Sequence, residues 1–329
     1  RFLIQEKTET DWKKVVPMNK DSKWFNWMVT ILCIMIVVCA SLGIRSTTEV
    51  VKPRVTVIIS DSSNERWESL KLGLKQAAQD ENVELNILST EYFDTLEEEE
   101  NVIRNTLSTS NGFVVEWVQS QGISDILHDM IYTGPVVQIN TPQDVREKAY
   151  GIQILPQNAQ VGKSLASEVL LNCKEDMQGK KVGILTGNTK SLMYRERTEA
   201  FKSVMESYGA VIQSEEASFG DMQLEGLDIL AIMDPLGMED VISQSLPSSL
   251  KVYGVGGSIS DLYAVDKGYV QSLVVVDEYY TGYEAVLNLS RKMHNRFYSM
   301  QGSVAPYYVV NQNNLYSADN QKLLFLDRG

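Results

Sequence analysis

The stretch Asn64-Glu65-Arg66-Trp67 sets an amide, a carboxylate, a guanidinium and an indole in succession just after an apolar run, "RVTVIIS" (54 to 60). An amide donates and accepts hydrogen bonds, a guanidinium grips carboxylates and hydroxyls, and an indole offers a broad apolar face with one N–H. That is chemistry for holding a polar solute, with no bond made or broken. Trp67 also keeps helical spacing with Leu70 and Leu74, so it reads equally as the start of a buried helix face. Arg66 beside it either faces an anion or points to water.

No other motif supplies catalysis. In "GILTGNTKS" (183 to 191) three residues separate Gly183 from Gly187, and Thr189 precedes Lys190 where a phosphate loop carries glycine. "GVGGSI" (254 to 259) has Ile259 in place of the last glycine of a dinucleotide fingerprint. The acidic run "TLEEEEN" (95 to 101) reads as a solvated helix face, and His128 has no nucleophile setting around it. His128, His294, Cys33, Cys39 and Cys173 show neither metal-ligand nor disulfide spacing. An enzyme, a metal site and a cofactor are therefore not expected.

The elements that must position Asn64 to Trp67 form βαβ units. After "RVTVIIS", a helical pattern carries Trp67, Leu70, Leu74, Ala77 and Ala78 on one face, and "VELNIL" (83 to 88) resumes as strand. "GFVVEWV" (112 to 118) and "PVVQIN" (135 to 140) each follow a further helical pattern. After a helix near 160 to 171 the scheme restarts with "KKVGILTG" (180 to 187), a helix over 195 to 209 and "AVIQSE" (210 to 215). Strands over 227 to 234, 250 to 257 and 269 to 277 come next, then a long helix from about 278 to 297 and a last strand at 306 to 311. Asn82 and Gly209 stand at equivalent helix ends, each tolerant of the left-handed conformation, which suggests two similar lobes in tandem. Parallel α/β sheets bind ligands beyond the carboxyl ends of their strands. This puts Asn64, Arg66 and Trp67 on one wall of an inter-lobe cleft and residues 189 to 197 on the other.

The length of 329 residues suits two such lobes, and 43% hydrophobic with 22% charged residues suits a folded globular protein. A net charge of −13 argues against a nucleic-acid partner.

Five stretches in order, "NERWESLKLGLKQAA" (64 to 78), "GPVVQIN" (134 to 140), "QNAQVG" (157 to 162), "RERTEAF" (195 to 201) and "YGVGG" (253 to 257), together resemble the type I periplasmic sugar-binding proteins, the ribose-binding group in particular. The resemblance implies two Rossmann-like lobes joined by a three-strand hinge, with crossings near 155, 276 and 308. Lobe 1 would then be 54 to 155 plus 277 to 308, and lobe 2 would be 156 to 276 plus 309 to 329. It also implies ligand contacts at Asn64, Trp67 and Arg197, where an aromatic face stacks on a sugar ring and the amide and guanidinium bond its polar groups. Arg66, Asn140, Asp234 and Gly256 fall at further ligand-lining positions but depart from the family pattern. Asn140-Thr141 replaces Asp-Arg, Gly256 replaces Asp, Val276 replaces Gln and Asp234 replaces Asn. An ionised Asp accepts two hydroxyl bonds, so these losses count against ribose itself.

From Trp24 to Ile44 no residue is charged, and as a helix the run would extend about 31 Å at ~1.5 Å per residue, the thickness of a hydrocarbon core. Lys13, Lys14, Lys20 and Lys23 precede it, so the positive-inside rule assigns a cytoplasmic tail (1 to 23), a transmembrane anchor (24 to 44) and an outer tether (45 to 53). Cleavage near Val38-Cys39-Ala40 is the competing reading. The chain opens on Arg1 and not on methionine, which is compatible with further sequence upstream. The expected product is a membrane-anchored extracytoplasmic solute-binding protein that closes over a sugar or other small polar ligand. It would serve the permease of an ABC importer or a membrane sensor histidine kinase. The alternatives are a transcriptional-repressor-like core without a DNA-binding domain, and a degenerate module that binds no ligand.

Overall fold

The computed structural model describes residues 22–44, 52–144 and 151–324. They fall into two units, Arg1–Val51 and Lys52–Gly329. In the first, helix α1 (Ser22–Ile44) is uncharged past Lys23 and exposes Trp24, Phe25, Trp27, Leu32, Ile34 and Ile36. Among the described residues no helix is long and apolar enough to cross a membrane; the side chains described for α1 run only from 23 to 39. The expected tail and tether lie mainly outside the described residues.

In the second unit β1 (Arg54–Ile58) leads through a 3₁₀ turn (Glu65–Trp67) into α2 (Glu68–Asp80). Then follow β2 (Glu84–Ile87), α3 (Leu96–Arg104), β3 (Gly112–Val115), α4 (Ser124–Thr133), β4 (Val136–Ile139) and β5 (Ile152–Pro156). The second run is α5 (Asn158–Asn172), β6 (Lys181–Leu185), α6 (Leu192–Ser207), β7 (Val211–Glu216), β8 (Ile229–Ile232), α7 (Pro235–Ile242), β9 (Lys251–Val255), α8 (Ile259–Asp266) and β10 (Ser272–Val276). The chain closes with α9 (Glu278–His294), β11 (Ser303–Ala305), β12 (Tyr307–Asn311) and α10 (Ala318–Leu324).

The strands form two six-stranded sheets, β2-β1-β3-β4-β5-β11 and β7-β6-β8-β9-β10-β12, so the two lobes share one strand order. All pairings are parallel except β12 on β10. β3, β4 and β8 are buried at every position, as parallel strands covered by helices on both faces must be. The chain passes between the sheets after Pro156, after Val276 and between Ala305 and Tyr307, so the third crossing precedes the expected residue 308.

Two strands had no sequence counterpart. β11 is only three residues long, too short for a periodicity, and β5 ends on Pro156, which marks a run as something other than strand.

Both lobes end alike the helix that follows the second strand of the sheet order, α2 after β1 and α6 after β6. Asn82 (φ 54°) and Gly209 (φ 84°) take the left-handed conformation after α2 and α6. The N–H groups of Val83 and Ala210 then return to the carbonyls of Ala78 and Met205, at 3.0 and 3.1 Å. Backbone contact between helices sets their depth. A Cβ on Gly73 of α2 would lie 2.1 Å from the Tyr279 carbonyl of α9, and one on Gly162 of α5 would lie 2.1 Å from the Arg197 carbonyl of α6. Only glycine allows these approaches, and the second fixes where Arg197 starts.

The acidic run on α3 is only partly a solvated face. Glu97 and Glu98 are exposed, but Glu99 is fully buried, its Oε2 accepting the Val118 N–H at 3.0 Å while Oε1 has no partner. Burial pushes its carboxyl up to about 8, against the pull of the Val118 bond. A carboxyl raised in the folded state favours folding at low pH and loses that contribution as pH rises from the unfolded value through about 8. Glu99→Gln is therefore expected to raise the melting temperature at pH 8 and to flatten its decline between about pH 5 and 8, read by thermal unfolding across that range.

Candidate functional site

In the order 2-1-3-4-5 the chain leaves β1 and β3 toward opposite sides, and the loops beyond their carboxyl ends part to leave a crevice. The first lobe sends Arg66 and Trp67 from the loop after β1, Glu116 from the end of β3 and Asn140 from the end of β4. The second lobe sends Asp234 from the end of β8, Gly256 from the end of β9, and Tyr194 and Arg197 from α6. Glu278 opens α9 just after the second crossing.

Asn64 caps the 3₁₀ turn: its Oδ1 accepts the Arg66 N–H at 2.9 Å. Its Nδ2 donates to Asp61 Oδ2 (3.3 Å) and, across the cleft, to Glu239 Oε2 on α7 (3.2 Å). The cap turns Trp67 inward. It is 2% exposed, packs with Val55, Val57, Leu70 and Leu74, and donates its indole N–H to the Ser60 carbonyl at 2.9 Å. Arg66 folds back over it, the guanidinium 3.9 Å from the ring centroid. Arg66 Nη2 lies 3.6 Å from Glu116 Oε1, and Arg66 Nε has no partner. Burial works against the guanidinium charge, but Glu116, Tyr194 and Asp234 outweigh it and hold the group above its ordinary value.

Asn140 adopts φ 57°, a left-handed position that Asn tolerates better than most residues. This turns its amide toward two acids: Nδ2 donates to Glu116 Oε2 at 3.1 Å and to both Glu278 oxygens at 3.1 Å, while the buried Oδ1 has no partner. Burial raises the Glu116 carboxyl against the pull of Arg66 and the Asn140 amide. Burial, and next the charge of Glu116, push Glu278 up to about 7.

On the facing wall Arg197 donates from Nε to Asn158 Oδ1 (3.0 Å) and from Nη1 to the Met233 carbonyl (3.2 Å), and burial lowers its affinity for the proton. Asp234 caps α7 through the Leu236 N–H at 3.0 Å, and burial raises its carboxyl. Gly256 owes its identity to a neighbour: a Cβ there would lie 2.5 Å from Asp261 Oδ2, which accepts the Gly257 and Ser258 N–H groups at 2.9 and 3.0 Å.

The lobes touch along the rim. Asn188 Nδ2 donates to the Val118 carbonyl (2.7 Å), the Leu192 N–H to Ser120 Oγ (2.8 Å) and Ser260 Oγ to Glu65 Oε2 (2.8 Å). Arg66 and Glu116 divide the enclosed space. One cavity of about 70 Å³ is lined by Arg66, Trp67, Asn140, Arg197, Gly256 and Glu278 among others. A second, of about 40 Å³, is lined by Arg66, Glu116, Tyr194 and Asp234 among others. Both are far below the roughly 300–1,000 Å³ of a small-molecule pocket. Among the described residues no three His, Cys, Asp or Glu side chains gather as metal ligands.

Residues 55–233, more than half of the chain, match the periplasmic binding protein domain. The chain belongs to this family. No curated protein matches it. Among solved structures, a carbohydrate transporter solute binding protein from Agrobacterium radiobacter, in complex with D-arabinose, is 15% identical with a TM-score of 0.73, over 84% of this chain and 99% of that one. The Caulobacter myo-inositol binding protein bound to myo-inositol is 14% identical with a TM-score of 0.68, over 82% and 97%. A chain of the XylFII–LytSN complex is 18% identical with a TM-score of 0.66, over 80% and 98%. At these identities the likeness carries the two-lobed fold.

Of the residues singled out from sequence, Arg66, Trp67, Asn140, Arg197 and Gly256 line the larger cavity, Asp234 lines the smaller, and Asn64 lines neither. Glu116 and Glu278 were missed, and Tyr194 was reached only as part of the stretch 189 to 197. A glutamate inside the apolar run "GFVVEWV" was the available signal for Glu116, because an acid is rarely buried without a task. Trp67 belongs to the core of the first lobe, so Trp67→Ala is expected to cost ~3 to 5 kcal/mol of stability, measured by denaturant unfolding of the ligand-free protein. Arg66→Met keeps the bulk over the indole and leaves Glu116 unpaired, which raises the Glu116 carboxyl further. The variant is expected to melt lower than the parent at alkaline pH and to close the gap as pH falls and Glu116 takes up a proton, read by thermal unfolding across the pH range.

Proposed function

We propose that the chain is an extracytoplasmic solute-binding protein whose lobes close by hinge motion over a small polar ligand of sugar or sugar-like kind, without chemistry. The observation that carries this reading is the convergence of Arg66, Glu116, Asn140, Arg197, Asp234 and Glu278 on one crevice at the carboxyl ends of both sheets. The arabinose- and inositol-bound neighbours favour a polyhydroxylated ligand. The uncharged run from Trp24 to Ile44 in the sequence favours retention at a membrane. The protein then stays at its partner, an ABC importer permease or a membrane sensor histidine kinase, and the XylFII–LytSN complex favours a partner-bound role.

A second reading, a cleft shut on its own side chains, is favoured by Arg66 lying over the indole face and by the small enclosed volume. Thermal unfolding against pentoses, hexoses, sugar acids and inositols separates the two. A ligand of the closed form stabilises by roughly 2.7 kcal/mol at a hundredfold excess over Kd, a rise of several degrees in Tm for a unit of this size. No shift with any member of the panel would favour the shut cleft.

A further inference from the structure

The cleft holds more negative than positive side chains. Arg66 and Arg197 face Glu116, Asp234 and Glu278. Arg66 stands against Glu116 at 3.6 Å, and Asp234 caps α7 through the Leu236 N–H. Glu278 has only the Asn140 amide, at 3.1 Å to each oxygen, and among the described residues no lysine or arginine forms an ion pair with it. Beside it Asn140, 4% exposed, carries a buried Oδ1 with no partner, and both residues line the 70 Å³ cavity. This part of the wall is made of acceptors, and closing a carboxylate into it without a positive group is costly.

The rest of the wall narrows the ligand further. Arg197 already serves Asn158 and the Met233 carbonyl, and Arg66 faces Glu116 at 3.6 Å, so each guanidinium has an acceptor beside it before a ligand arrives, which counts against a ligand carboxylate. Arg66 Nε, without a partner, is a donor for one ligand oxygen. Resting on the solute-binding reading, we infer that the cleft is built for a solute bearing an ammonium group among hydroxyls, of the amino sugar class, with the ammonium seated on Glu278 and Asn140 Oδ1. Glu116, Arg66, Arg197 and the adjoining Asp277 face the same space, and among them Glu278 is raised to about 7 when no ligand is bound. Affinity for the ammonium therefore falls as pH drops through 7 and Glu278 takes up a proton.

Calorimetric titration of the full chain in detergent, with D-glucosamine, D-galactosamine and D-mannosamine against D-glucose, D-galactose and D-mannose, tests this. The expected result at pH 7.5 is a preference of roughly tenfold or more for one amino sugar over its neutral parent. The preference should shrink at pH 5.5 and fall toward one in Glu278→Gln. The melting temperature of ligand-free Glu278→Gln at pH 8 should equal or exceed that of the parent, because a buried charge is gone, and a much lower value would assign Glu278 a structural role instead. Equal or tighter binding of the neutral sugars overturns the ammonium inference and leaves the solute-binding reading standing. Binding of neither class overturns the inference, and if the wider panel also fails it removes the solute-binding reading as well.

Discussion

A guanidinium does not give up its proton at any pH a protein meets, so burying Arg66 is costly unless acceptors are buried with it, and a carboxylate compensates its charge best. Glu116 is that carboxylate, and much of the cleft follows from the pairing. Glu116 in turn needs a donor for its second oxygen, which Asn140 supplies at 3.1 Å. The same amide then reaches Glu278 at the start of α9, a residue 138 positions further along the chain. A single charge placed on the loop after β1 thus ties together the ends of β3 and β4 and the helix after the second crossing.

The indole beneath Arg66 gives this arrangement its floor. Trp67 is held by the core of the first lobe and by its bond to the Ser60 carbonyl, so the guanidinium rests on a rigid surface. An aromatic face that could have stacked on a sugar ring is instead covered by a cation. The cleft wall is left to the acids and amides around it, which is where this cleft departs from the pattern its sequence resembles. Gly256 belongs to the same change: the acid expected there is absent, and Asp261 from the next helix fills the space and takes up the loop N–H groups.

Bonds cross between the lobes at separate points along the rim. The contacts named along the rim are single hydrogen bonds made by Asn64, Asn188, Leu192 and Ser260, and three crossings join the sheets. Each lobe is stiff by comparison, with helices seated backbone on backbone at Gly73 and Gly162.

The sequence by itself determined what depends on near neighbours in the chain: the βαβ rhythm, the strands buried on both faces, and the left-handed helix ends at Asn82 and Gly209. It also placed Arg66, Trp67 and Arg197 at the cleft, because loops at strand ends must lie there once the sheets are parallel. Local pattern could not decide whether Trp67 was core or contact, since helical spacing is the same for both. β5 and β11 escaped because one ends on a proline and the other is too short to show alternation. Glu99 read as solvated because its neighbours are, and only the packing of α3 against the turn at Val118 removed it from water. Glu116 and Glu278 became partners of one amide through tertiary structure alone. Charge compensation acts over a few ångströms of space, whatever the distance along the chain, and no window of sequence contains both ends of it.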